Sequence, residues 1–214
     1  MHHWHYRGCY SKMHFIIMPL THDVACADLT VAFEDRTARL PELESTAAHI
    51  AERLRTAKRV ADVAPTALAL LAQATGSEWA VWWVVDAQLN RLRPLALWSA
   101  LGSKAQVLED TTGRSTLSPG EGIPGQVWRS RKPRRATNLA LEMCLPRSLA
   151  AIDAGLQGGL WFALKTDTAV YGVIEFLSRA LALNTADDLV TLERLGFRLG
   201  HALEESIHGN ARLH

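Results

Sequence analysis

GEGIPGQVWRSRKP, residues 120–133, is the most informative segment of this 214-residue chain. Its first six residues match the GxGxxG pattern of phosphate-binding loops, which requires a strand directly before the loop and a long helix after it. Here Ser118 and Pro119 precede the glycines, and Pro133 ends the following helix after about two turns. The chain also lacks the VAIK, HRD and DFG sequences of a protein kinase. We therefore predict that these glycines shape a turn before a short helix at 126–131.

Four strand-like segments flank this loop, two on each side. Residues 79–85, WAVWWVV, are continuously apolar and rich in aromatic and β-branched side chains, which predicts a strand covered on both faces. Residues 92–98 form its predicted hairpin partner, and 160–166 and 169–178 form a second pair. The loop between the pairs is followed by an extended piece at 135–138 and a helix at 147–154.

Helices are predicted at both ends of the folded region. Pro41, followed by acidic residues, suits a first helical turn, and a second helix at 66–74 ends at Gly76. The final helix starts with a capping-box-like pair, Thr185 and Asp188, and continues to Gly209. The order helix, helix, strand, strand, connecting layer, strand, strand, helix predicts an α+β fold with a mostly antiparallel sheet.

The domain limits follow from these patterns. Residues 1–40 show no sustained apolar period and are expected to form a flexible N-terminal arm. Residues 41–209 form one predicted domain, and 210–214 a tail.

Composition excludes several classes of protein. The net charge of +1 gives no basic field for nucleic acid, and no apolar run approaches the ~20 residues of a membrane helix. The three cysteines are widely spaced and odd in number, which argues against a disulfide framework or a structural zinc site. No metal site is predicted, and a cytoplasmic location is expected. The cations near the loop are interpreted as a solvated surface: Arg129, Arg131, Lys132, Arg134 and Arg135.

In this arrangement, residues 120–133 resemble the loop-and-helix signature of bacterial GAF domains, the small-molecule and chromophore sensors of histidine kinases, cyclases, phosphodiesterases and phytochromes. LLAQATGSEWAVWWVVD (70–86), AAIDAGLQGGLWFAL (150–164) and the segment 171–205 resemble the flanking parts of the same family, in matching order. The resemblance covers roughly residues 42–207. It implies a central antiparallel sheet with the N- and C-terminal helices on one face and a pocket-forming layer of helices and loops on the other.

Known GAF chemistries are checked against the residues at the matching positions. Bilin-binding members carry a cysteine and a histidine where this chain has Pro146 and Arg147, and the motif of cyclic-nucleotide-binding members is missing. The histidines at 49, 201 and 208 fall on the terminal helices, away from the position of a haem ligand. Free methionine sulfoxide reductases of this fold use cysteines, including one in the glycine loop, which has none here. Covalent bilin, haem and cyclic nucleotides are therefore unsupported as cofactors.

Glu175 is the sharpest single signal, because it interrupts an apolar strand and a buried carboxylate is costly unless paired. It would bind a ligand or an internal arginine such as Arg147, and the sequence does not choose between them. The tryptophans alternate between the faces of the sheet, where they either line a pocket or fill the core. The residues predicted to line the pocket are Trp83, Trp98, Cys144, Arg147, Trp161 and Glu175.

No Ser-His-Asp or Cys-His arrangement has local motif support, so no catalytic residue is predicted. The predicted function is a regulatory sensor, not an enzyme, that binds a small molecule and signals through its terminal helices to a separate histidine kinase, cyclase or regulator. The alternatives are a structural dimerisation module with a vestigial pocket and, less favoured, a small redox enzyme using Cys144. The wide apolar stripe of the final helix predicts a homodimer through Ile50, Leu54, Leu199 and Leu203.

The replacement of the attachment pair by Pro146 and Arg147 predicts that the protein carries no covalent bilin. Co-expression with a bilin-producing pathway, followed by denaturing electrophoresis and zinc-induced fluorescence, should show no fluorescent protein band. A fluorescent band would contradict the prediction. Its loss in Cys144→Ala would identify Cys144 as the attachment site.

Overall fold

The structure, a computed structural model, describes residues 22–142, 146–181, 183 and 185–211. Part of the predicted arm, Cys144 and the last residues of the predicted tail lie outside these residues. Among the described residues, no helix is both long enough and apolar enough to cross a membrane.

A five-stranded antiparallel sheet forms the centre of the fold, with the strand order β2-β1-β5-β4-β3. The strands are β1 (Trp79–Asp86), β2 (Arg91–Ser99), β3 (Arg134–Ala136), β4 (Gly158–Lys165) and β5 (Val170–Ser178). The two hairpins predicted from the sequence are thus confirmed. The hairpins join through β1 and β5, with Trp82 opposite Ile174, and the extended piece expected at 135–138 is the edge strand β3.

Three helices cover one face of the sheet: α1 (His22–Thr56), α2 (Val60–Thr75) and α6 (Ala186–Ala211). Leu68 of α2 and Leu199 of α6 are fully buried against Trp82 and Phe176 on this side. The expected start of the first helix at Pro41 is wrong, because α1 begins at His22 and Pro41 lies inside it. Proline has no N–H group to donate to the carbonyl one turn before it in the helix. Pro41 is exposed, so water can replace this hydrogen bond.

The predicted start of α6 is confirmed by a reciprocal capping interaction. The backbone N–H of Thr185 donates to Asp188 Oδ2 at 2.7 Å, and the backbone N–H of Asp188 donates to Thr185 Oγ1 at 3.3 Å. These bonds satisfy donors that have no partner within the first turn of a helix.

The opposite face of the sheet carries the connecting layer. It consists of a 3₁₀ turn (Gly102–Ala105), α3 (Gln106–Gly113), α4 (Gly122–Ser130), a second 3₁₀ turn (Leu139–Leu141) and α5 (Pro146–Asp153). The sequence predicted α4 and α5 but not α3. Only Leu108 and Thr112 of α3 are buried, so its sequence carries too short an apolar pattern to indicate a helix.

Alternation along β1 divides its side chains between two apolar clusters. Ala80 and Trp82 belong to the cluster under the helices, whereas Trp79, Val81 and Trp83 belong to the cluster under the connecting layer. The predicted separation of Trp82 from Trp79 and Trp83 is therefore confirmed. Because both faces of the sheet are covered, β1 and β4 are apolar almost throughout.

Helix α6 lies unusually close to β4 because two of its residues are glycines. A Cβ atom at Gly196 would collide with the backbone oxygen of Ala163, and one at Gly200 with the backbone of Lys165. The close approach brings the backbone of α6 directly against the strand that borders the connecting layer.

We predict that Gly200→Ala lowers the free energy of unfolding by about 1–3 kcal/mol, the usual cost of overpacking. The collision with the Lys165 backbone should outweigh the gain of about 1 kcal/mol that alanine brings to a helix interior. Chemical denaturation measures the change. Gly113→Ala is the matched control, because a Cβ there meets nothing within 4 Å. A Gly200→Ala protein as stable as the unmodified chain would contradict the close packing of α6.

Candidate ligand-binding site

A cavity of about 210 Å³ lies between the sheet and the connecting layer. The sheet supplies Trp161 from β4 with Glu175 and Leu177 from β5, and the remaining walls come from the connecting layer. Those walls consist of Thr111, Ser115, Thr116, Leu117, Glu121, Gly122, Ile123, Pro124, Leu139, Arg147, Ser148 and Ala151. The cavity thus combines apolar walls with hydroxyl groups and three charged side chains.

Glu175 forms the polar part of the sheet side of the cavity and is 0% exposed. Both of its oxygens accept hydrogen bonds from the guanidinium of Arg147, one of them from Nη1 at 3.1 Å and the other from Nη2. Trp161 Nε1 also donates to Glu175 Oε2 at 2.8 Å. A two-pronged contact of this kind is the strongest arrangement available to an arginine and a carboxylate.

Arg147 is held from three directions. In addition to Glu175, its Nε donates to Thr112 Oγ1 at 2.9 Å, and its guanidinium carbon lies 5.1 Å from the centre of the Trp83 ring. That distance permits a cation–π interaction. Arg147 therefore connects α5 to α3 through Thr112, to β1 through Trp83 and to β5 through Glu175.

The glycine loop closes another side of the cavity. Gly120 and Gly122 have φ angles of +91° and +60°, and a Cβ at Gly125 would collide with the backbone oxygen of Ser118. The N–H of Gly120 donates to the carbonyl of Gly125 at 2.7 Å, and the N–H of Gly125 donates to the carbonyl of Glu121 at 3.1 Å. The loop is the turn that the sequence predicts, and these internal bonds occupy N–H groups that a phosphate cradle would need.

Glu121 sits at the rim of the cavity within this loop. Its Oε2 accepts a hydrogen bond from the backbone N–H of Ser118 at 2.8 Å and lies 3.5 Å from Arg91 Nη1. The bond from Ser118, assisted by Arg91, lowers the pKa of Glu121 below its ordinary value. The rim carboxylate is therefore ionised at neutral pH, and Arg91 is its counter-ion.

The structure brings together three of the six residues expected at the pocket. Arg147, Trp161 and Glu175 line the cavity. Trp83 lies beneath Arg147 and is completely buried, so it supports the site without lining it. Trp98 packs against the helix-side cluster, because it is paired with Ala80 on that face of the sheet, and the expectation that it lines the pocket is wrong. Cys144 lies outside the described residues.

The hydroxyl groups of the cavity were not recognised in the sequence. Thr111 belongs to α3, which has no clear helical signature, and Ser115 and Thr116 follow it in an irregular segment. Glu121 was visible within the glycine loop, but only the folded chain shows that it faces the same cavity as Glu175.

The described residues contain no group of His, Cys, Asp and Glu side chains that could hold a metal ion. The histidines at 49, 201 and 208 are exposed on α1 and α6, on the far side of the sheet from the cavity. Two of the cations after α4 bind within the chain, since Arg131 donates to the backbone oxygen of Thr166 and Arg134 to Glu142.

The architecture, a sheet with helices on one face and a cavity-forming layer on the other, defines the sensor-domain class that the sequence resembles. The family profile described as GAF domain matches residues 57–204. The chain therefore belongs to the GAF domain family, and the predicted α+β fold is confirmed.

Solved structures with this fold include proteins of several kinds. The GAF domain of a phosphoenolpyruvate-protein phosphotransferase from Coxiella burnetii is 15% identical, with a TM-score of 0.60, and the match covers 81% of this chain and 97% of that one. A free methionine-R-sulfoxide reductase from Neisseria meningitidis, solved with its substrate, is 17% identical, with a TM-score of 0.61 and coverage of 79% and 93%.

A third similar structure is a domain from Sinorhizobium meliloti described as part of a two-component sensor histidine kinase. It is 15% identical with a TM-score of 0.54, and the match covers 72% of this chain and 97% of that one. No curated protein matches the chain. At these identities the similarity establishes the fold alone.

We predict that Glu175→Ala lowers the free energy of unfolding by about 3–5 kcal/mol, because it leaves the Arg147 charge largely buried without its partner. The double substitution Arg147→Met with Glu175→Leu should recover most of this loss, since it removes both charges and keeps the volume. Urea denaturation of the unmodified chain, Arg147→Met, Glu175→Leu and the double variant forms a complete double-mutant cycle. Additive losses in the double variant would show that the ion pair is not the dominant interaction.

Proposed function

We propose that this chain is a regulatory module that binds a small molecule in the cavity above Glu175 and transmits its presence to the terminal helices. The observation that carries the proposal is the cavity itself: about 210 Å³ remain open beside a buried ion pair and several hydroxyl groups. A pocket that served only as core would be filled by side chains, because protein interiors are closely packed.

The size of the cavity limits the ligand. Pockets for drug-sized ligands measure about 300–1,000 Å³. The 210 Å³ found here favours a smaller metabolite. A large tetrapyrrole would need an extensive rearrangement of the connecting layer.

A contact route from the cavity to the final helix supports a regulatory role. The first residues of α4 line the cavity, and the carbonyl of Arg131, the residue directly after α4, accepts a hydrogen bond from Lys165 Nζ at 2.6 Å. Lys165 Nζ also donates to Glu193 Oε1 of α6 at 2.6 Å and lies 4.5 Å from the centre of the Phe197 ring. A shift of α4 on ligand binding would therefore change the position of Lys165 against α6.

Lys165 is well placed for such a role because it is only 5% exposed. A buried ammonium group depends on its few partners, so a displaced Arg131 carbonyl leaves it with Glu193 alone among the hydrogen bonds described here. The glycines of α6 keep the helix close enough to β4 for this contact to matter.

The output would be a separate signalling protein, such as a histidine kinase, a cyclase or another regulator, acting through a homodimer. The homodimer stays a prediction, but its expected contact residues need correction. Leu54 and Leu199 are 0% exposed and Ile50 and Leu203 nearly so, because they fill the chain's own core. A second copy would instead meet exposed surface of the terminal helices, such as Ile207, which is 48% exposed.

Enzymatic reduction is the second function to be tested, because free methionine-R-sulfoxide reductases share the fold. The glycine loop of this chain contains no cysteine. Among the three cysteines, Cys144 is the nearest in sequence to a residue that lines the cavity, Arg147. Activity on free methionine sulfoxide that disappears in Cys144→Ser would favour the enzyme over the sensor.

Ligand binding can be tested with a library of small fragments, using saturation-transfer NMR on the full chain. Ser148→Phe should abolish binding of the cavity-directed fragments, because Ser148 lines the cavity. Leu149→Phe is the matched control on the same helix, since Leu149 is 56% exposed and should leave binding unchanged. Equal binding to both variants, or no binding to the unmodified chain, would reject the cavity as the site.

Transmission of ligand binding from the cavity to α6 can be measured by amide hydrogen exchange. A fragment that binds the cavity should slow amide hydrogen exchange in α6, and Lys165→Met should abolish this effect while leaving binding in place. Unchanged protection of α6 in Lys165→Met would show that the signal does not pass through Lys165.

A further inference from the structure

The charged groups at the cavity are compensated within the protein. Among the described lining residues, only Glu121, Arg147 and Glu175 carry charge. Arg147 is paired with Glu175, and Glu121 is paired with Arg91 just outside the cavity. The described lining residues therefore offer no unpaired charge to neutralise an ionic ligand.

The buried ion pair still has hydrogen-bond donors that a ligand can use. The carboxylate of Glu175 already accepts from Nη1 and Nη2 of Arg147 and from Trp161 Nε1, which uses most of its acceptor sites. A guanidinium has five N–H groups. Three of those on Arg147 are used by Glu175 and Thr112, and the other two have no partner among the described residues. The ion pair therefore presents hydrogen-bond donors, the N–H groups of Arg147, to a ligand.

A charged ligand would be poorly accommodated beside this pair. An anion would lie near the carboxylates of Glu175 and Glu121, and a cation would lie near the guanidinium of Arg147. Removing an ion from water costs several kcal/mol unless a countercharge or strong hydrogen bonds replace its hydration. A neutral carbonyl oxygen needs only a donor, which Arg147 provides.

The remaining lining fits the rest of such a molecule. Leu117, Ile123, Leu177 and the Trp161 ring form apolar walls that suit a small hydrocarbon or aromatic body. The hydroxyl of Ser115 can accept a hydrogen bond from an N–H group of the ligand, because a serine hydroxyl is both donor and acceptor.

We propose that the cavity selects a small uncharged molecule with an apolar body and a carbonyl group of the amide type, whose oxygen accepts hydrogen bonds from the two remaining N–H groups of Arg147. This assignment rests on the proposed ligand-binding function and adds the chemical class of the ligand. The buried ion pair then acts as a neutral hydrogen-bond donor and not as a counter-ion.

The test uses three probes that share one aromatic ring and differ in charge: benzamide, benzoate and benzylammonium. Each is titrated into the full chain at neutral pH, and dissociation constants are obtained from chemical-shift changes. Benzamide should bind at least about tenfold more tightly than either ion, a factor that corresponds to about 1.4 kcal/mol. Equal or tighter binding of benzoate or benzylammonium would overturn the proposal.

Two variants separate a specific carbonyl contact from general apolar binding. The double variant Arg147→Met with Glu175→Leu removes the N–H donors and should weaken benzamide binding at least about tenfold while leaving toluene, which has no carbonyl, unaffected. Leu149→Phe serves as the control and should leave both affinities unchanged. An unaltered benzamide affinity in the double variant would overturn the assigned contact.

The outcomes also distinguish the ligand class from the function on which it rests. If none of the three ring probes binds but other fragments bind and are lost in Ser148→Phe, the ligand class is wrong and the sensor function stands. If no fragment of any class binds to the unmodified chain, both proposals fail.

Discussion

The pairing of Glu175 with Arg147 is the interaction on which the cavity depends. A carboxylate in the middle of β5, with no exposed surface, is tolerated only because a guanidinium and an indole N–H replace its hydration. The same guanidinium binds Thr112 and lies over Trp83, so one arginine links α5 and α3 to the sheet.

The opposite face of the sheet is built on a different principle. There the helices are held by apolar packing over Trp82 and Phe176, and the glycines of α6 allow its backbone to approach β4 directly. Lys165 connects the two faces, because it stands at the end of β4 and binds both the carbonyl of Arg131, directly after α4, and a carboxylate of α6. The proposed sensor function is argued from this combination of a cavity on one face and a close-packed helix on the other.

Membership of the GAF family leaves the role of this chain open, because the fold is shared by signalling domains and by methionine sulfoxide reductases. Function therefore has to be argued from the site. The internally neutral ion pair, the hydroxyl groups and the limited volume favour reversible binding of a small neutral molecule. The resemblance implies a cysteine in the glycine loop of the reductases. The glycine loop of this chain has none.

The sequence alone determined the sheet, because continuously apolar segments such as WAVWWVV can be satisfied only by strands covered on both faces. It also indicated the capping of α6, the turn formed by the glycines and the exceptional position of Glu175, each of which depends on local chemistry. Only the tertiary structure decided that Arg147 and not a ligand satisfies Glu175, that Trp98 lies under the helices, and that α3 brings Thr112 to the site. These outcomes depend on contacts between residues far apart in the chain, and no local pattern of apolar or polar residues specifies which distant partner will meet them.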